Sequence, residues 1–121
     1  MIALLTALAG GAGAAARFLL DTLIARHNRL SIPVGTVAVN ITSCFLLGLL
    51  TGVVMRFPEL GELKTVLGVG FLGGYSTFST ASFEGVRLLL QRRHWQAIAH
   101  TGGMLLASLG AAALGVVLLM P

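Results

Sequence analysis

Four long apolar runs, separated by short clusters of charge, set the pattern of this chain. The first goes from Ile2 to about Ala25 and holds Arg17 and Asp21 inside it. The second, from about Pro33 to Met55, opens on Ser31-Ile32-Pro33, where proline suits a first helical turn. The third begins near Leu63 and ends near Leu90, but Gly68, Gly70, Gly73 and Gly74 interrupt it, followed by Ser76, Thr77, Ser79, Thr80 and Ser82. The fourth covers about Ala97 to Met120, with Trp95 before it as an interfacial anchor. A membrane helix needs about 20 apolar residues. The pattern therefore predicts an all-α membrane protein, one domain over 1–121, with transmembrane helices at about 2–25, 33–55, 63–90 and 97–120.

Composition narrows the function classes. Of 121 residues, 56% are apolar and 10% charged, against roughly a quarter charged in a soluble domain. No room is left for a soluble catalytic domain, and no paired carboxylates, Ser-His-Asp set or metal-ligand cluster is visible, so an enzyme is not expected. The net charge of +4 would suggest nucleic acid only if it formed a patch on a soluble surface. The basic residues instead sit between apolar runs, where they meet lipid headgroups and set topology, and no nucleic-acid partner is expected. Arg26, Arg29, Arg87, Arg92 and Arg93 fall on one side of a four-span chain, and Arg56 and Lys64 on the other. The positive-inside rule puts the first side in the cytoplasm and both termini outside. Ala7-Leu8-Ala9 resembles a signal-peptide cleavage site, but a basic leader region is missing, which favours a retained first helix. Cys44 is the only cysteine and reads as a small packing residue.

The informative residues are the polar ones within apolar runs. Thr36, Asn40 and Ser43 stand at i, i+4 and i+7 and share one helix face. In hydrocarbon that face must point at protein, as interhelical glue, or at a wet cavity; spacing alone leaves both open. Gly70 to Thr80 joins flexible glycines to hydroxyls that can satisfy freed backbone groups, which suggests a broken helix lining water; a kinked helix with hydroxyls bonded to its own carbonyls is the alternative. A break would offer carbonyls to a cation and amide hydrogens to an anion. Glu84 and Arg87 at i, i+3, and Arg17 and Asp21 at i, i+4, are expected as local ion pairs, with a basic vestibule at Arg17 as the sharper reading. His100 stands alone near the start of the fourth helix. Gly48 and Gly52, and the series Gly103, Ala107, Ala111 and Gly115, read as ridges for close helix packing.

In combination these stretches resemble the Fluc (CrcB) family of small fluoride channels. The resemblance is carried by Gly10-Gly11-Ala12-Gly13-Ala14-Ala15-Ala16-Arg17-Phe18, by Gly35-Thr36-Val37-Ala38-Val39-Asn40, by Phe45-Leu46-Leu47-Gly48, and by Gly70 to Thr80 with Glu84. It implies an antiparallel dimer of four-helix subunits with the third helix broken mid-membrane, exporting fluoride passively across the bacterial plasma membrane. It also implies a central structural sodium ion on the backbone carbonyls of Gly73 and Ser76. The implied pore residues are Asn40, Thr36, Phe78, Ser79, Thr77, Thr80 and Ser108, with Arg17 in the vestibule. Two departures stand out: Ala81 replaces the second phenylalanine of the family's aromatic box, and Ser43 stands where a glycine is usual. The missing ring and the charge bias point to one half of a pair of homologous subunits with opposite fixed orientations; a homodimer with a second copy is the alternative. The rival class is a small four-helix proton-coupled multidrug transporter, which needs an ionisable group in the membrane; the first helix contains no glutamate.

Overall fold

The computed structural model describes residues 1–30 and 32–121; Ser31, expected at the opening of the second helix, lies outside the described residues. These are helical for most of their length and include no strand. Helix α1 is Ile2–His27 and α2 is Val34–Arg56. After a 3-10 turn at Pro58–Leu60, a rod over residues 61–75, here α3, is built from Gly61–Lys64, Thr65–Leu72 and Gly73–Tyr75. Its middle part is a π-helix, with Gly73 N–H donating to the Gly68 carbonyl five residues back. Helix α4 is Phe78–Leu90 and α5 is His94–Leu119.

Three helices, α1, α2 and α5, are each long and apolar enough to cross a membrane. The run expected at 63–90 is instead two helices, because Ser76 and Thr77 are extended, with ψ of 162° and 119°. Helix α5 starts at His94, not near 97, because a tight turn at its N-terminal side delivers the chain directly into it. That turn closes α4 with a pair of backbone bonds, Arg93 N–H to the Leu88 carbonyl and Arg92 N–H to the Leu89 carbonyl, both at 2.9 Å. This is a Schellman arrangement, and it puts Arg92 in the left-handed region at φ 57°, a position usually given to glycine.

Burial is inverted relative to a soluble bundle. Leu4, Leu8, Phe18, Leu105, Leu106 and many other large apolar side chains face outward, while Thr36, Ser43, Thr77, His100 and Ser108 are buried. Without a hydrophobic drive between helices in lipid, association depends on close packing and on interhelical hydrogen bonds. The most extensive interface joins α2 to α5, and the next joins α1 to α3. Both depend on missing side chains: a Cβ on Gly48 would meet the Ala112 carbonyl, and one on Gly13 would meet the Phe71 carbonyl. The small-residue ridge expected along the last helix is only partly used. Gly115 faces the Phe45 carbonyl, but Gly103 has nothing near it and Ala107 is exposed. The residues of α5 turned to α2 are Ser108, Ala112 and Gly115, because the helix rotates slightly away from the four-residue series.

Candidate functional site

Thr36, Asn40 and Ser43 of α2 face α3 and α4. Thr36 Oγ1 donates to Glu84 Oε1 at 2.8 Å, and Ser43 Oγ donates to the Leu72 carbonyl at 3.4 Å. Between them Asn40 pairs with the extended backbone of Thr77. The Thr77 N–H donates to Asn40 Oδ1 at 2.9 Å, and Asn40 Nδ2 donates to the Thr77 carbonyl at 3.0 Å. The side-chain amide thus does for Thr77 what a neighbouring strand would do, satisfying both backbone groups where the helix no longer can. One consequence is that Thr77 N–H turns to Asn40 instead of to the Gly73 carbonyl four residues back.

Thr77 also starts the next helix. Its Oγ1 accepts from the Thr80 amide at 3.2 Å, an N-cap that satisfies one of the open donors of α4. The same hydroxyl donates to Thr80 Oγ1 at 3.0 Å and lies 3.4 Å from Ser79 Oγ. On the other side of the break Arg17 Nη1 donates to the Ser76 carbonyl at 3.4 Å. The residues expected to form one pore are divided between two cavities that share Thr77. One, of about 210 Å³, is lined by Arg17, Phe18, Asp21, Thr36, Val39, Thr77 and Thr80. The other, of about 420 Å³, is lined by Asn40, Ser76, Thr77, Phe78 and Ser108, together with Cys44, Ala81 and Met104. Ser79 and Gly73 line neither and are exposed; Phe78 is 88% exposed.

Two expected ion pairs are corrected. Among the described residues Arg17 forms none with Asp21, whose carboxylate instead fills the space a Cβ on Gly35 would take. Nor does Glu84 pair with Arg87. It turns inward to Thr36 and to His100, whose Nε2 lies 3.3 Å from Glu84 Oε2, in ion-pair range but without hydrogen-bond alignment. His100 is not alone, and it is buried. Met104 was also not foreseen: its Sδ accepts from Asn40 Nδ2 at 3.4 Å. A histidine and a methionine on α5 at i and i+4 could have been read as one inward face. No group of three or more His, Cys, Asp or Glu that could hold a metal occurs among the described residues.

Comparison with known proteins gives this geometry its kinship. Residues 4–116 match the profile of the family described as CrcB-like protein, Camphor Resistance (CrcB). A protein of Leifsonia xyli named fluoride-specific ion channel FluC 1 is 45% identical over 115 residues, covering 95% of this chain and 84% of its own. A fluoride-specific ion channel FluC 2 of Cutibacterium acnes is 41% identical over 119 residues, 98% of this chain and 97% of its own. One from Thermobifida fusca, also a FluC 1, is 38% identical over 115 residues, with 95% and 92% covered. With its three membrane-length apolar helices, the chain is a multi-pass protein of the bacterial plasma membrane. The chain belongs to the CrcB family.

Proposed function

We propose that this protein is a passive channel selective for fluoride, letting the anion leave the cytoplasm down its gradient. The names borne by its relatives support this reading. The observation that carries it is the extended pair Ser76 and Thr77, set in hydroxyls and amides and flanked by two cavities. Backbone that leaves the helix at membrane depth survives only where protein buries it or water reaches it. In this reading α3 and α4 together, residues 61–90, make the fourth crossing and the break falls within the bilayer. Fluoride is small and strongly hydrated, so a selective path must replace its water with donors. Here these are the hydroxyls of Ser79, Thr80 and Ser108 and the ring edge of Phe78, with Thr36, Thr77 and the Asn40 amide, whose hydrogens are engaged within the chain and would have to turn to the anion, and with Arg17 drawing anions to the vestibule. Passive conduction of an anion needs no nucleophile, acid or base.

The exposure of Phe78 and Ser79 beside otherwise enclosed partners supports a pore completed by a second subunit, packed antiparallel. That subunit is a second copy or a paired homologue. A sodium ion at the centre would fit the carbonyls of Gly73 and Ser76. Hard cations take oxygen ligands, and Thr77 N–H has already turned away from the Gly73 carbonyl. Arg17, 3.4 Å from the Ser76 oxygen, would have to withdraw, and a second subunit would have to supply further oxygens. The ion's contribution would be structural, holding two breaks together.

The test is fluoride efflux from liposomes holding this polypeptide alone, read with a fluoride electrode against a chloride control. Selective efflux is expected and would show function as a homodimer despite Ala81. Folded protein that passes no fluoride, alone or with a co-expressed homologue, overturns the reading. A proton-coupled transporter is not favoured; it would instead show flux that depends on a proton gradient.

A further inference from the structure

An asparagine side chain has two amide hydrogens and one acceptor oxygen, and all of them are engaged at Asn40. Oδ1 accepts from Thr77 N–H, one hydrogen on Nδ2 goes to the Thr77 carbonyl at 3.0 Å, and the other goes to Met104 Sδ at 3.4 Å. No hydrogen is left over for an anion. The two bonds to Thr77 hold backbone groups that have no helical partner, and giving them up would open the break. The bond to Met104 is different. A thioether is a weak acceptor on a flexible chain, easily displaced by a stronger one.

The space around this weak bond suits an anion. Met104 and Ser108 stand one turn apart on α5 and line the same cavity of about 420 Å³ as Asn40. Ser108 is 9% exposed, and its Oγ has no hydrogen-bond partner in the chain. A buried hydroxyl without a partner and an amide hydrogen on a weak acceptor are two donors with unmet demand in one cavity.

We propose that Met104 is a positioning residue for the anion. Its sulfur keeps the second Asn40 hydrogen directed into the cavity while no anion is present, and yields that hydrogen when fluoride arrives. This deepens the channel reading and rests on it. The acceptor strength at position 104 then sets how readily fluoride binds, since anion and side chain compete for one hydrogen.

Met104→Leu keeps the volume and removes the acceptor. Met104→Gln keeps the length and offers a strong carbonyl acceptor. In the liposome assay, Met104→Leu should lower the half-saturating fluoride concentration by about two- to threefold, the low end for a hydrogen bond because the thioether is a weak acceptor. Met104→Gln should raise it by a similar factor. A role in packing alone would not move the two variants in opposite directions. The Asn40 side-chain amide resonance, followed by NMR during a fluoride titration, gives the same comparison without flux and carries the test on Met104→Leu alone if the glutamine variant misfolds. Wild-type protein that conducts fluoride while Met104→Leu shows unchanged or weaker binding overturns the assignment of Met104 and leaves the channel reading intact. Wild-type protein that neither conducts fluoride nor shifts its Asn40 amide overturns both.

Discussion

Glu84 and His100 meet between α4 and α5 with Oε2 and Nε2 3.3 Å apart, while Thr36 donates to the other carboxyl oxygen at 2.8 Å. The histidine side chain is fully buried and the glutamate oxygen facing it is shielded from solvent, although the glutamate side chain as a whole is 19% exposed. Removing one partner should therefore cost more than removing both, because a buried polar group left alone keeps its desolvation penalty. His100→Phe and Glu84→Gln are each expected to lose about 1–3 kcal/mol. The double variant should recover part of the sum, and a double-mutant cycle on thermal unfolding in detergent measures the coupling. Additive losses would mean that the two side chains are neighbours without interaction.

Asn40→Ala should both destabilise the protein and stop conduction. It leaves the Thr77 N–H and carbonyl unpaired, each a penalty of about 1–3 kcal/mol. Asn40→Asp keeps the acceptor for Thr77 N–H but loses the donor to the Thr77 carbonyl and sets a carboxylate beside it. It should therefore also lose at least the about 1–3 kcal/mol of that unpaired carbonyl, and, offering no donor and repelling an anion, it should stop conduction. Thermal unfolding in detergent and fluoride efflux check the two effects.

Gly13→Ala and Gly48→Ala push a methyl group into backbone carbonyls of Phe71 and Ala112. Each should cost about 1–3 kcal/mol through forced separation of helices. Gly61→Ala is the control. A Cβ there meets nothing within 4 Å and the backbone is already right-handed at φ −58°, so the change should be neutral or add up to about 1 kcal/mol. The three melting temperatures, taken in one detergent, check the ranking.

Arg92→Gly should stabilise the turn between α4 and α5. The arginine holds φ 57°, where a side chain costs roughly 1–2 kcal/mol. Glycine meets the same Schellman geometry without that penalty. A melting temperature higher by a few degrees is expected, with fluoride flux unchanged.

The legible part of this protein was whatever depends on one helix at a time. Thr36, Asn40 and Ser43 could be placed on one face because helical spacing alone does that, and the structure turns that face toward α3 and α4. The concentration of glycine and hydroxyl residues around Ser76 and Thr77 also marks where the backbone leaves the helix. What could not be read was the rotation of one helix against another. Glu84 was expected beside Arg87 on its own helix, but α4 presents it to α2 and α5. His100 and Met104 gain meaning only from that same rotation, and the small-residue ridge of α5 missed its contact line for the same reason. Helical periodicity tells which residues share a face, not which neighbour that face meets.

The pairing of Asn40 with Thr77 also bears on how the chain is made. A ribosome releases α2 before residues 76 and 77, so the side chain that satisfies the break exists before the break does. The freed backbone groups can therefore dock on a finished helix as they enter the bilayer, without a period of exposure to lipid that would cost several kcal/mol per group. Were the order reversed, with the break synthesised ahead of its amide partner, the insertion machinery would have to carry two unsatisfied peptide units until α2 arrived. The order of segments along the chain is thus part of what makes a non-helical turn tolerable inside a membrane.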